Sequence, residues 1–292
     1  MSDFSARVYR LAFAAAAAYN ILFGLWASLF PRAFFDLFEF APPRYPAIWA
    51  CLGMVVGLYG VGYAYAAWRL DRAFPFIAIG LAGKILGPIG WVIAVRSGEM
   101  PFRTFPLIAF DDLLWWLPFG LFLLEGARIA TFLKRTAPLW CAAAHVVAAV
   151  ATLVILKTHL MWILWMIAAV SLIAFYAWWG TRVGNIAAVA IAASGIVCDF
   201  SGESMFIAFP NHERLASLLT GGAANGLYTL AGILLTMADR LKPVPTLLAW
   251  IAWASGIALV IVTILNVQIG IVISSAALMI SFIPFVIAMA RQ

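Results

Sequence analysis

The chain has 292 residues, 66% of them hydrophobic and only 10% charged, with a net charge of +6 at pH 7. That balance excludes a soluble globular domain and a disordered chain. It also excludes a nucleic-acid-binding module, because the bases are scattered between apolar runs rather than gathered in a patch.

A spanning helix needs about 20 mostly apolar residues, since the hydrocarbon layer is about 30 Å thick and each residue rises about 1.5 Å. Ten such runs are read, near 8–30, 47–68, 73–95, 105–125, 138–157, 160–180, 185–208, 213–237, 244–265 and 268–290. Continuous apolar runs rather than alternation point to helices and not to a barrel. The fold class is therefore all-α, a polytopic transmembrane bundle of about ten spans whose direct partner is the lipid bilayer. Eleven Lys and Arg residues fall on the side of the N-terminus and six on the other, with Lys84 inside a span. This bias predicts both termini in the cytoplasm. The first run is too long for a cleaved signal and is read as a retained helix.

Along the chain, Tyr19 and Asn20 are polar and mid-span, and interhelical hydrogen bonding is their simpler role. The outer loop between Pro31 and Pro46 sets aromatics against acids over 33–40, which fits either a segment lying flat at the interface or a partly ordered loop. The second span carries a stripe of Gly53, Gly57 and Gly60, and the third a stripe of Gly80, Gly83, Gly87 and Gly90. Such stripes let helices approach closely in lipid, and packing is their first reading. The basic linker Lys134-Arg135-Thr136-Ala137-Pro138 divides the chain into a four-span module, 1–135, and a six-span module, 136–292. Trp162, Trp165, Trp178 and Trp179 read as an interfacial belt. In the eighth span Ser217, Gly221, Ala224, Asn225 and Tyr228 share a face. No internal repeat is read, because a five-plus-five division conflicts with the linker after the fourth span.

Charges inside spans are costly and mark either a functional site or an internal lock. The candidates are Lys84, Asp111, Asp112, Asp199 and Glu203. Lys84 lies about 16 Å from the inner edge of its span, and Asp111 and Asp112 about 9–11 Å from the outer edge of theirs. A Lys84–aspartate pair then follows if the third and fourth spans pack together, which their short loop favours. Adjacent aspartates point about 100° apart, so both cannot face one partner. Trp115 shares a face with Asp111, and Trp116 with Asp112. In the seventh span Gly195, Asp199, Gly202 and Glu203 fall on one face, which suggests a broken or water-lined helix. Glu203 lies nearer the outer end, where simple hydration is the alternative. Asn225 completes the candidate set.

The runs around Tyr19-Asn20 to Gly24, Gly53 to Tyr63, Gly83-Lys84 to Gly90, and Asp111-Asp112 to Phe119 resemble small bacterial four-helix membrane proteins, loosely DoxX-like. Some such sequences are labelled alkyl hydroperoxide reductase. The resemblance covers about the first 130 residues and implies a four-helix membrane module in a bacterial inner membrane, not an activity. Peroxidase chemistry finds no support, because Cys51, Cys141 and Cys198 lack a polar, thiolate-stabilising context. Ten spans in this length also match the drug/metabolite transporter type in size.

No CxxC, HExxH, GxSxG or phosphate loop is present, and the three histidines have no metal spacing, so no metal or cofactor is expected. Three readings follow. One is a proton-coupled carrier of a small molecule or ion, with Lys84, Asp111, Asp112 and Asp199 lining a cavity. Another is a membrane-embedded enzyme acting on a lipid or isoprenoid, with an aspartate beside Trp115 or Trp116 as the acid. The third is a non-catalytic subunit whose charged pairs only hold helices together. Transport is preferred, from the span count and the lack of a catalytic signature.

Overall fold

The computed structural model describes residues 2–41, 43–154 and 158–291. Among these, ten helices are long and apolar enough to cross a membrane: α1 (Asp3–Leu29), α2 (Pro46–Trp68), α3 (Phe74–Arg96), α4 (Phe102–Leu123), α5 (Ala137–Val154), α6 (His159–Val183), α7 (Ile186–Ala208), α8 (Pro210–Ala238), α9 (Pro243–Ile264) and α10 (Gln268–Ala290). The protein is thus an all-α, multi-span membrane bundle. The fifth span was expected to run to 157; its last three residues, Lys157 included, lie outside the described residues.

The chain divides into two compact units, Met1–Gly126 and Ala127–Gln292. The amphipathic helix Arg128–Arg135 packs on α5 and α6 and so falls in the second unit, not in the first as the division at 135 would have it.

In the first unit α1 and α2 press together over most of their length. A Cβ on Gly24 would stand 2.6 Å from the carbonyl oxygen of Gly53 and 2.7 Å from Cα of Gly57, so only glycine permits this approach. Gly60 meets Ile21 and Ala17 in the same way. The core beside them is aromatic. Phe13 meets Phe119 edge-on at 5.5 Å and Tyr63 meets Phe119 at 5.1 Å. The outer loop forms a short helix, Ala33–Leu37, whose Phe34 is buried and stacks on Trp49 at 4.8 Å. An Arg103–Glu39 ion pair of 2.8 Å ties this loop to the start of α4.

The second unit is a ring of six helices in chain order, with α10 returning to α5. Trp179, Phe175, Tyr176, Trp253 and Phe285 fill its core. Trp179 is therefore not an interfacial residue. It is fully buried because its indole has a partner, donating to Asp239 Oδ2 at 2.8 Å beside Arg182 at 3.2 Å.

One irregularity recurs. The fourth span of each unit is segmented alike. In α4 a 3-10 turn (Phe102–Thr104) and a short α segment (Phe105–Ile108) lead into a π-helical turn at Ala109–Leu113 and then α-helix. In α8 a 3-10 turn (Pro210–His212) and Glu213–Ser217 lead into a π-helical turn at Leu218–Ala224, then α-helix from Asn225. Wide turns of this kind release main-chain carbonyls from the ordinary ladder, and they concentrate at functional sites. All the candidate acids lie on or beside these two turns.

Candidate functional site

In the first unit, Asp111 and Asp112 sit inside the π turn of α4. Lys84, near the midpoint of α3, is buried to 4% exposure, as is Asp112. The expected pair takes a different form. Lys84 Nζ donates a short hydrogen bond to the main-chain carbonyl of Asp111. Among the described residues no carboxylate oxygen of Asp111 or Asp112 makes an ion pair with Lys84, although both lie within its electrostatic reach. The acceptor that Lys84 meets is thus a main-chain carbonyl on the π turn rather than a side chain. Asp111 Oδ1 is left buried with no hydrogen-bond partner.

The two tryptophans hold this geometry. Trp115 is buried, and its indole donates to the carbonyl of Phe110 at 2.8 Å, closing the π turn from a side chain. Trp116 is half exposed, and its indole donates to the carbonyl of Lys84 at 2.8 Å. That carbonyl needs an outside donor because residue 88, its α-helical partner, is a proline without an N–H. Pro88 and Trp116 are thus two halves of one arrangement that fixes Lys84 against α4.

Tyr63, which the candidate set left out, and residues read only as packing or interhelical contacts complete the cluster. Lys84 Nζ lies 5.8 Å from the centroid of the Tyr63 ring. The Tyr63 hydroxyl rests on Gly80, and the Asp112 carboxylate rests on Gly87, whose added Cβ would stand 3.1 Å from Asp112 Cγ. Gly83 and Gly90 face open space. The α3 stripe is therefore not a seam between backbones: its glycines at 80 and 87 are recesses for polar side chains. Tyr19 joins the ring contacts, 6.5 Å from Phe110 and 6.3 Å from Trp115, and Asn20 is buried with an unpartnered Oδ1.

The second unit has its own cluster on α7. Asp199 is partly buried and accepts from the Tyr228 hydroxyl at 3.2 Å. Tyr176 then donates to the main-chain carbonyl of Tyr228 at 2.7 Å, so the two tyrosines form a ladder from α6 through α8 to the acid. Glu203, one turn along, is buried to 5% exposure, and its Oε2 has no hydrogen-bond partner. Burial replaces the hydration that its position near the helix end suggested. Gly202 lets α8 come close: a Cβ there would meet the Ala216 carbonyl at 2.7 Å.

Asn225 is used locally. Its Nδ2 donates to the Thr220 carbonyl at 3.0 Å, five residues back, which is the spacing at which Trp115 serves Phe110. His145 is buried, with Nδ1 2.8 Å from the Cys141 carbonyl and its ring edge-on to Phe282. Among the described residues no group of three or more His, Cys, Asp or Glu could hold a metal ion.

Chemically, the two clusters offer different things. The first presents an ammonium, two carboxylates and an aromatic wall around a main-chain carbonyl of the π turn. The second presents two carboxyls one turn apart, one bonded to a phenol and one with a free oxygen. Comparison with known proteins finds no matching family model, no matching curated protein and no matching solved structure.

Proposed function

We propose that this protein is a proton-coupled secondary carrier in a bacterial inner membrane, with both termini cytoplasmic. The observation that carries the reading is the π turn in the fourth span of each unit, set against ionisable groups within the spans: Lys84 with Asp111 and Asp112 in one, Asp199 with Glu203 in the other, of which Lys84, Asp112 and Glu203 are buried. Irregular backbone at membrane depth is tolerated where it lines a cavity, and carriers use interrupted helices at their binding sites. Asp199 and Glu203 are the proton-binding pair. Lys84, Asp111 and Asp112, walled by Trp115 and Trp116, form the polar site for a small solute, and Asn225 keeps the α8 turn open for the acid pair.

The test uses proteoliposomes loaded with a pH-sensitive dye, challenged with solutes identified by mass spectrometry of molecules that co-purify with the protein. A solute-driven change of internal pH is expected from the native chain and from Glu99→Gln, an exposed loop control. It should be lost in Asp199→Asn and in Glu203→Gln. An unchanged signal in Asp199→Asn removes that residue and the coupling scheme with it.

One observation favours a second reading. The aspartates of α4 stand beside Tyr19, Tyr63 and Trp115, ring faces suited to a developing cation on an isoprenoid substrate. Conversion of an isoprenoid lipid by the purified protein, abolished by Asp112→Asn, would select it over transport.

A further inference from the structure

The second unit has one feature that neither acid cluster uses. Where α9 begins and α10 ends, an open groove of about 470 Å³ runs between the two helices. Its walls are apolar, formed chiefly by Val244, Leu248, Pro284 and Ile287, and two cations stand in its lining, Lys242 and Arg291. Among the described residues no acidic side chain lines it.

Several cations near the helix ends are engaged within the chain. Arg182 is paired with Asp239, Arg69 with Asp71, and Arg10 donates to the carbonyls of Ala67 and Trp68. Among the described residues, neither the Lys242 ammonium nor the Arg291 guanidinium has a hydrogen bond or an ion pair. Lys242 moreover sits at the N-cap of α9, at the positive end of a 22-residue helix, where a lysine is electrostatically out of place. Pro243 and Pro245 carry no N–H and Thr246 donates to Lys242, so Val244 supplies the free main-chain donor of that first turn. Two cations and a helix N-terminus therefore stand at one end of a groove whose remainder is apolar.

The geometry points to a binding site for one anionic phospholipid, its phosphate held by Lys242 and Arg291 and one acyl chain laid along the groove over Pro284 and Leu248. Charge complementarity selects an anionic head, and the apolar length below the cations selects a lipid, since it offers a free anion nothing. The side fits as well: α9 starts and α10 ends on the face richer in Lys and Arg, where anionic lipid attracts basic segments at the membrane surface.

Native mass spectrometry of the full chain in mild detergent tests this, with phosphatidylglycerol and phosphatidylcholine offered in equal amounts. The native protein should retain one phosphatidylglycerol, severalfold in preference to phosphatidylcholine. Lys242→Gln with Arg291→Gln should abolish that preference, Lys242→Arg with Arg291→Lys should restore it, and Arg128→Gln with Arg135→Gln should leave it intact. Ala288→Trp fills the groove and spares both cations, and it should also expel the lipid; Leu248→Trp repeats that test from the opposite wall. Excess inorganic phosphate should not compete. Retention unchanged in the Lys242/Arg291 double variant overturns the proposal. So does lipid retained in both tryptophan variants, or displacement by inorganic phosphate, since either describes a simple anion site.

Discussion

A methyl group at position 87 would press into the carboxylate of Asp112, whereas methyl groups at 83 and 90 would point into open space. Gly87→Ala should therefore lower stability by about 1–3 kcal/mol, as overpacking of a filled site does, and abolish activity. Gly83→Ala and Gly90→Ala should do neither, although all three sit on one stripe. Thermal unfolding in detergent separates these cases, and equal effects at the three positions would mean that the stripe is a packing seam after all. The Pro88–Trp116 arrangement makes a sharper case. Trp116→Phe removes the donor that serves the Lys84 carbonyl and should cost about 1 kcal/mol. Pro88→Ala restores the main-chain N–H that the same carbonyl lacks. The double variant Pro88→Ala/Trp116→Phe should then be more stable than Trp116→Phe alone by a similar amount, a coupling that a double-mutant cycle measures directly. Additive effects would mean that the indole and the missing N–H do not serve the same acceptor.

At the scale of single elements, the spans were legible because hydrophobic length is a property of composition, and the helices match the apolar runs within a few residues. That the Gly53, Gly57 and Gly60 stripe of α2 is a packing face was legible too, because glycine at helical spacing has one strong physical use in lipid, although its partner α1 was not. The π turns were not. Whether a carbonyl is taken by the N–H four or five residues on depends on donors elsewhere, here the side chains of Lys84, Trp115 and Asn225. No local pattern in Ala109–Leu113 or Leu218–Ala224 announces that choice. The same gap misdirected Lys84 toward a carboxylate, since charge pattern reveals acids and hides main-chain acceptors. Trp179 was misread for a related reason: the Asp239 that lets its indole be buried stands on another helix. If the α8 turn is functional, removing its extra residue should show it. Deletion of Ala223, which is exposed, should return Leu218–Ala224 to an α-helical ladder and take from Asn225 its carbonyl partner. Circular dichroism should report unchanged helix content while solute-driven proton movement disappears. Retained activity in that deletion would reduce the π turn to a packing irregularity.

On the scale of the whole molecule, each unit has a core of its own. Tyr9, Phe13, Tyr63, Ile77 and Phe119 build one, and Phe175, Trp179, Trp253, Phe282 and Phe285 build the other. The first core is also fastened at its end, where the Tyr9 hydroxyl donates to Glu125 at 2.8 Å, one residue before the division at Gly126. A unit that closes its own core and ties its own last helix should keep its fold when the chain is cut after it. Insertion of a protease site between Gly126 and Ala127, followed by cleavage in detergent, should therefore leave total helix content unchanged. Each fragment, once separated, should melt cooperatively, as a self-contained core predicts. Tyr9→Phe should lower the midpoint of the 1–126 fragment and leave that of 127–292 where it was, because the lost hydrogen bond belongs to one unit alone. Collapse of either fragment on separation, or a Tyr9→Phe shift shared by both, would show that the two cores are energetically one.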